Sequence, residues 1–316
     1  MADLNQMKYS IMFHHFHDNH NYPEVQGSGS ISADDFHLII DYLDENFSLL
    51  APDEYLKKVE HGSIQEGDVC LTFDDALKCQ FDVIYPELEK RNLKAFFFVY
   101  SSAFSDNPPP LEFFRDFRLN FFNNVNEYYD LFFNTVMRVY PQQYNVFLND
   151  YQTDYLSAFP FYTENDKKYR FIRDKVLKEK YFDLVFGMMK EKKYSQFQRK
   201  EKLFMSVDEI KILHDSGHTI GLHSHSHPTQ IHNLDYSSQL EEYTKNYKFI
   251  SSITKRKINV MSHPCGNYND DTLMILKELG IKFGFRSSLT PSYIKSSLEI
   301  PREDHANVMN RMNGAI

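Results

Sequence analysis

The stretch "VCLTFDDALK", residues 69–78, carries the pattern that decides the fold. Apolar and β-branched residues run from Val69 to Phe73 and end in two adjacent carboxylates, Asp74 and Asp75. Such a run is typical of a buried strand. Adjacent acids repel each other, so a bound cation would stabilise the pair, although a surface turn is the commoner origin of this pattern. In an extended backbone the two side chains point in different directions, so one could bind a metal while the other faces a substrate.

Further runs of β-branched and aromatic residues alternate with helical patterns. The predicted strands cover 8–15, 68–74, 93–101, 218–224, 258–264, 281–287 and 298–304. Helices are predicted at 32–47, 206–218 and 271–281. The first two begin with a capping serine, and the last two end at Gly217 and Gly280. This α/β alternation predicts a parallel sheet or barrel with helices outside. In such folds the chemistry lies at the C-terminal ends of the strands.

The segment from about 105 to 204 breaks the alternation, since its pattern is helical throughout. We predict one helix over 111–140 and further helices around 166–176 and 180–195. We therefore expect a single catalytic domain, 1–316, that contains a helical insert at 105–204. The aromatic density of the insert exceeds what one helix face can bury. That density fits a cap over the active site or a homo-oligomer face, and equally an insert that packs on itself and on the barrel.

Composition excludes some partners. The chain has 35 Lys and Arg against 44 Asp and Glu, a formal net charge of −9, which disfavours nucleic acid. The longest apolar runs are far shorter than the roughly 20 residues that span a bilayer, so no membrane span is expected. The N-terminus does not resemble a secretory signal, and three cysteines without paired spacing fit reduced thiols. We expect a cytoplasmic protein without a structural zinc cluster of cysteines.

Aromatic residues are unusually frequent: the chain has 28 Phe and 21 Tyr but no Trp. One interpretation is a composition biased by an AT-rich genome. The other is that aromatic platforms bind sugar rings or a partner. The sequence leaves both open.

Three histidines at alternate positions form the second chemical signal. In "GLHSHSHPTQ", residues 221–230, His223, His225 and His227 follow a predicted strand. If the chain turns after His223, then His223 and His227 can reach one metal ion while His225 turns elsewhere. Two imidazoles and one carboxylate are a common ligand set for catalytic zinc. The Asp-Asp pair at the end of another strand makes a metal site more credible than a solvated histidine tract.

These motifs, in this order, resemble those of the polysaccharide deacetylase family, carbohydrate esterase family four. "TFDD" (72–75) resembles the first family motif, with Ala76 where glycine is usual, and "HSHSH" (223–227) resembles the second. "SHPCGNYNDDTLMILKELGIKFGF" (262–285) and "EIPRED" (299–304) resemble later family segments. The resemblance covers roughly 8–104 and 205–305. It implies a distorted seven-stranded (β/α) barrel, of the surface-glycan-associated cytoplasmic subgroup, with a helical insert.

The resemblance also implies roles. Asp75, His223 and His227 would bind one divalent metal, most often zinc, and Asp74 would be the general base that activates a metal-bound water. A backbone N–H of the third motif, near Cys265, would stabilise the oxyanion. Side chains expected to line the substrate site are His263, Pro264, Gly266, Tyr268 and His305.

Two roles depart from the family pattern. Many members carry an arginine before the third-motif proline to orient the base, where this chain has His263. Arg302 is the replacement that we expect, although a surface ion pair would explain it almost as well. For the general acid, "IMFHHFHD" (11–18) resembles a family segment in which a histidine protonates the leaving amine, which points to His14. His305 is the alternative.

The expected activity is the metal-dependent removal of the N-acetyl or N-acyl group from an amino sugar or an intermediate of glycan biosynthesis. Two alternatives stay open. One is a catalytically inactive carbohydrate-binding or scaffold protein on the same fold, which Ala76 and the missing arginine allow. The other is an O-acetyl esterase.

Overall fold

The computed structural model describes residues 10–22, 24, 29–106, 108–156, 162–289 and 291–314. The chain forms two compact units. The first contains Met1–Pro23, Ser30–Pro109 and Glu201–Ile316, and the second contains Glu24–Gly29 and Pro110–Lys200. The description of 1–316 as one catalytic domain with an insert at 105–204 stays a prediction.

A parallel sheet that is nearly closed into a barrel forms the centre of the first unit. Its path is β10-β1-β5-β6-β7-β8-β9, with β4 paired to β5 beside it. The two ends of the path approach each other, because the backbone N–H of Ile300, just before β10, donates to the carbonyl of Gly284 in β9 at 2.8 Å. The strands are β1 (Ser10–Phe13), β2 (Phe16–His17), β3 (Ile31–Ser32), β4 (Ser48–Leu49), β5 (Asp68–Asp74), β6 (Phe96–Val99), β7 (Thr219–Leu222), β8 (Val260–Ser262), β9 (Phe283–Phe285) and β10 (Arg302–Asp304).

All seven predicted strands of the barrel are present, and the expected seven-stranded (β/α) fold is confirmed. Most are shorter than predicted, because ladder pairing is not continuous at their ends. Ile300, for example, pairs with Phe285 only through an isolated bridge. Side chains alternate between two apolar layers, as strand geometry requires. Phe96 and Phe98 of β6 pack with Phe285, while Phe97 stacks on Phe73 with 4.9 Å between ring centroids. Asp74 shares the face of Thr72, opposite to Phe73.

Helices surround the sheet and make up the second unit. They are α1 (Ala33–Asn46), α2 (Pro52–Glu60), α3 (Tyr85–Lys90), α4 (Pro110–Asn120), α5 (Val125–Val139), α6 (Pro141–Asp150), α7 (Glu164–Phe171), α8 (Lys180–Glu191), α9 (Gln196–Leu203), α10 (Val207–Asp215), α11 (Tyr236–Thr254), α12 (Asp270–Glu278) and α13 (His305–Met312). The predicted caps are confirmed: Ser32 and Ser206 each cap the following helix through a capping box. Gly217 and Gly280 adopt positive φ just after α10 and α12.

The second unit corrects one prediction. Residues 111–140 do not form one helix, because the chain breaks between α4 and α5, where the Asn124 side chain accepts hydrogen bonds from the N–H groups of Asn126 and Glu127 and caps α5. Aromatic side chains, among them Tyr128 and Tyr129, fill the interior of this unit. Within the described residues, the unit consists of helices joined by loops.

Across the described part of the chain, none of the helices has the length and apolar character needed to cross a membrane.

Candidate metal centre and catalytic residues

The chain turns sharply where β5 ends. Asp74 is the last residue of the strand and is 2% exposed. Asp75 and Ala76 both adopt positive φ, 80° and 55°, so the backbone reverses direction and separates the two carboxylates. This conformation favours glycine, which explains why the family motif usually has glycine where this chain has Ala76. The N–H of Asp75 still donates to the carbonyl of Phe98 in β6 at 3.0 Å, which fixes the turn to the barrel.

A second turn brings two of the three histidines to Asp75. His223 follows β7, and positive φ at Ser224 and His227 folds the segment back. Nε2 of His223 lies 3.4 Å and Nε2 of His227 lies 3.5 Å from Oδ1 of Asp75. His225 points elsewhere, with Nδ1 2.9 Å from the Ser101 hydroxyl. As expected from the sequence, His223 and His227 lie together and His225 turns away.

Asp75, His223 and His227 fit a divalent metal. One ligand atom from each residue lies within 4.8 Å of the other two. Oδ1 of Asp75, to which both imidazoles point, is buried and accepts no hydrogen bond, which would be costly without a cation. Nδ1 of His223 lies 2.9 Å from the carbonyl of Ser262. That acceptor places the proton on Nδ1 and leaves the Nε2 lone pair directed at the cluster.

The electrostatics favour an ionised Asp75. Burial by itself would raise the pKa of this carboxyl group. The neighbouring imidazoles of His227 and then His223 outweigh burial and hold the pKa of Asp75 well below its usual range. Burial also lowers the pKa of His227, which favours the neutral imidazole that binds a metal.

Asp74 is held by a buried guanidinium. Oδ1 and Oδ2 of Asp74 each accept a hydrogen bond of 2.7 Å from Arg302, and Oδ2 lies 3.2 Å from the hydroxyl of Ser262. Arg302 also donates to Oγ1 of Thr72 at 3.2 Å. Burial opposes ionisation of Asp74, but Arg302 and then His223 outweigh burial and lower its pKa. Arg302 is 1% exposed, so it forms a buried bidentate pair with Asp74 and no surface ion pair.

His14 lies beside both carboxylates, as His223 does, but outside the three-residue cluster. Its Nε2 is 4.0 Å from Oδ2 of Asp74 and 3.9 Å from Oδ2 of Asp75, and its side chain is 31% exposed. Gln80 ties these segments together, because its amide donates to the carbonyls of His14 and Asp74 at 2.9 and 2.6 Å. His305 is buried, stacks on Phe13, and has Nδ1 3.4 Å from the carbonyl of Met12.

The third-motif residues form a rigid turn after β8. His263 is fully buried, with Nε2 2.8 Å from the Leu298 carbonyl, and burial lowers its pKa to about 4. Its ring stacks on Tyr268 at 4.3 Å. The turn Pro264–Gly266 follows. Gly266 has a φ of +67°, and a Cβ there would lie 2.3 Å from the hydroxyl of Ser287, so no other residue fits without rearrangement.

Cys265 lies at the tip of this turn, on the surface. Partial desolvation and the charges of Asp75 and Asp74 raise the pKa of its thiol to about 11. The charges of both carboxylates therefore reach the thiol of this turn.

Several supporting residues were not anticipated. Ser262 donates to the Asp74 carboxylate, and Gln80 donates to the backbone carbonyls of His14 and Asp74. Glu242 accepts hydrogen bonds from the N–H groups of His225 and Ser226 at 3.0 and 2.7 Å. No motif in the sequence marks these residues, although Gln80 is only six positions from Asp74.

Comparison with known proteins agrees with this picture. Residues 174–284 match the family model "Polysaccharide deacetylase", which includes the histidine cluster and ends in β9. No curated protein sequence is similar enough to count as a relative.

Solved structures show the same fold over nearly the whole chain. A Streptococcus pyogenes deacetylase, PplD, in complex with acetate is 15% identical, with a TM-score of 0.53 over 94% of this chain and 91% of that chain. IcaB from Ammonifex degensii is 14% identical, with a TM-score of 0.54 over 93% and 89%. A de-N-acetylase from Aggregatibacter actinomycetemcomitans is 14% identical, with a TM-score of 0.52 over 93% of each chain.

The recognition of the polysaccharide deacetylase family is thus confirmed for residues 174–284, which match its family model, and the solved structures show that the chain has the fold of these deacetylases.

Proposed function

We propose that the protein is a metal-dependent hydrolase that removes the N-acetyl or N-acyl group from an amino sugar or from an intermediate of glycan biosynthesis. The observation that supports this most directly is the position of Asp74. Arg302 holds this carboxylate 2.7 Å from its guanidinium, immediately beside the Asp75–His223–His227 cluster. A base next to a three-ligand metal site is the arrangement that hydrolysis of an amide requires.

In this proposal Asp75, His223 and His227 hold the divalent metal. Zinc is the metal proposed, because imidazole and carboxylate ligands suit it. When bound, the metal would supply Lewis acidity that makes water a stronger nucleophile and polarises the acyl carbonyl. All remaining steps belong to side chains and backbone groups of the chain itself.

Asp74 takes a proton from the attacking water. Although both of its oxygens bond to Arg302, a carboxylate has about four lone-pair sites, so an acceptor position remains. The water oxygen adds to the acyl carbon, the carbon–nitrogen bond breaks, and the nitrogen receives a proton from protonated His14, which gives a free amine and a carboxylic acid. A backbone N–H of the turn at Cys265 would donate to the developing oxyanion.

Metal content and turnover test this proposal together. Wild-type protein purified without chelator and then supplied with zinc should hold about one metal ion per chain, and the His223→Ala variant should lose it. Asp74→Asn should keep the metal, because Asp74 is outside the ligand set, but should lose turnover by about a thousandfold or more, since it removes only the base. The matched control Asp53→Asn, at an exposed position, should behave as wild type.

Turnover is followed as acetate release from N-acetyl and O-acetyl sugars. Release from N-acetyl sugars alone supports the deacetylase, and release from O-acetyl sugars alone favours the esterase. A wild-type protein without metal even after addition of zinc, or an Asp74→Asn variant with unchanged turnover, would contradict the proposal.

A further inference from the structure

A cavity of about 380 Å³ opens in the helical second unit, among α5, α6 and α7. This volume falls in the range of small-molecule sites. Four aromatic residues account for most of its wall: Phe133, Tyr144, Phe147 and Tyr151. The proposed deacetylase chemistry uses none of them.

The rings are held in fixed orientations. Phe147 is 7% exposed, and its ring centroid lies 5.7 Å from that of Tyr144 and 5.4 Å from that of Tyr151. The hydroxyl of Tyr151 donates to Oε1 of Glu164 at 2.9 Å, which fixes its position. Tyr144 and Tyr151 are half-buried, so each presents part of its ring to the cavity. A rigid aromatic surface binds a ligand at little cost in conformational entropy.

The apolar Leu148 and two polar side chains, Asn165 and Lys168, complete the wall. Nζ of Lys168 lies 3.8 Å from Oε1 of Glu164, so a carboxylate already balances its charge. Asn165 donates to Oδ1 of Asn126 at 3.0 Å. An amide has two donor hydrogens and one acceptor oxygen, so this single bond leaves capacity for a ligand. The cavity therefore combines flat apolar surfaces with donors and acceptors and carries no uncompensated charge.

We infer that this cavity is a saccharide-binding pocket, separate from the candidate metal centre. A sugar ring has an apolar C–H face that packs on an aromatic ring and a rim of hydroxyls that bond to amide, phenol and ammonium groups. An anionic ligand is disfavoured, because the carboxylate of Glu164 lies beside Lys168, the only cation that lines the described wall. A hydrocarbon chain would desolvate Asn165 and Lys168 without partners.

The choice of a saccharide as ligand rests in part on the proposed function, since a glycan is the substrate class of that proposal. The pocket itself needs neither the metal nor turnover. Its binding can therefore be measured in a protein that cannot react.

The experiment uses the full chain carrying Asp75→Ala, which removes a metal ligand and with it hydrolysis. Saturation-transfer NMR and calorimetric titration follow binding of two probes, the β-1,4-linked tetramers of N-acetylglucosamine and of glucose. We expect at least one probe to bind, Tyr144→Ala to weaken binding about tenfold or more, and Tyr144→Phe to stay within about threefold of the parent. Tyr293→Ala, at a tyrosine that is 62% exposed in the first unit, is the matched control.

Thermal unfolding of each variant establishes that it is folded, and Asn165→Ala provides a second variant that leaves the rings in place. Loss of binding in Tyr144→Ala and Asn165→Ala, with Tyr293→Ala unchanged, supports the pocket whether or not the protein proves to be a deacetylase. Binding of neither tetramer to the Asp75→Ala protein would overturn the inference. Binding that Tyr144→Ala and Asn165→Ala leave unchanged would overturn it as well.

Discussion

At the scale of single residues, the pair of Arg302 and Asp74 explains how two adjacent acids can both be ionised at the end of a buried strand. Asp75 has two imidazoles, and Asp74 has a guanidinium that is 1% exposed. Transfer of a charge into the interior is costly, and the bidentate hydrogen bonds offset that cost. If either partner is removed, the other becomes a buried and uncompensated charge.

A double-mutant cycle tests, without a substrate, whether Arg302 and Asp74 compensate each other's buried charge. Arg302→Met should lower the free energy of unfolding at neutral pH by about 3–5 kcal/mol, because Asp74 stays buried without its cation and the main cause that lowers its pKa is lost. Combining Arg302→Met with Asp74→Asn should recover part of that loss, so the two changes should be strongly non-additive in urea unfolding.

The exposed pair of Lys282 and Glu60, 3.0 Å apart with side chains 61% and 48% exposed, gives the matched cycle. Solvent screens this pair, so its coupling energy should stay below about 1 kcal/mol. Equal coupling energies in the two cycles would show that the buried pair has no special role.

At the scale of elements, the sequence pattern predicted the strands but missed the break between α4 and α5. Most of the barrel strands are apolar runs that are buried on both faces, so composition alone marks them. The exception is β10, whose sequence is Arg-Glu-Asp. The helix predicted over 111–140 ends at Asn120 because of a local competition: the Asn124 side chain bonds to backbone N–H groups and starts a new helix. Such a competition is invisible to hydrophobic periodicity, which continues through the break.

Closure of the barrel depends on one glycine. In β9, a Cβ on Gly284 would lie 2.5 Å from the carbonyl oxygen of Leu298 and 3.0 Å from its carbonyl carbon. These are backbone atoms of the segment that leads to Ile300 and β10. Gly284 therefore allows the two ends of the sheet to approach each other.

We expect Gly284→Ala to destabilise the protein by more than about 2 kcal/mol, or to prevent folding, because the backbone of β9 must move away from Leu298. Gly187→Ala is the contrasting change. Gly187 lies within α8, and no atom is within 4 Å of its ideal Cβ, so alanine should stabilise the helix by up to about 1 kcal/mol. Denaturant unfolding measures both, and equal effects of the two substitutions would contradict this account of closure.

At the scale of the whole molecule, the site combines segments that are distant in sequence, and this limits what can be predicted. The motif resemblance was enough to name Asp75, His223 and His227, because each lies at a strand end in a recognisable stretch. It was not enough to decide whether Arg302 paired with Asp74, 228 residues away. His263 shows the same limit: it was expected to line the substrate site, and its side chain is buried against Leu298. That the turn after His263 lines the substrate site stays a prediction.

Two buried histidines also make the stability of the fold depend on pH. His218 is 2% exposed, and its Nδ1 accepts a hydrogen bond from the N–H of Ala95 at 3.2 Å, so protonation would remove an acceptor. Burial, and then the charge of Lys94, lower its pKa to about 4, from an ordinary value near 6.5. The pKa of His263 is lowered to about 4 as well, with burial as the main cause.

The sign of the effect follows from linkage. Between the native pKa of about 4 and the unfolded pKa near 6.5, the unfolded chain binds more protons than the native protein. Stability therefore rises with pH across this window. The contribution of each histidine is complete above about pH 6.5 and is lost as the pH falls toward 4. A difference of this size between the native and unfolded pKa values corresponds to about 3 kcal/mol of stability for each histidine.

We therefore expect the free energy of unfolding of the metal-free protein, measured by urea at pH 7.5, 6.5, 5.5 and 4.5, to fall steadily below pH 6.5. In His218→Asn the amide oxygen can still accept the Ala95 N–H but cannot be protonated, so the loss between pH 6.5 and 4.5 should be smaller by about 2 kcal/mol. His61→Asn, at an exposed histidine, should keep the wild-type dependence. If His218→Asn lost as much stability on acidification as the wild type, the buried neutral state of His218 would not be the cause.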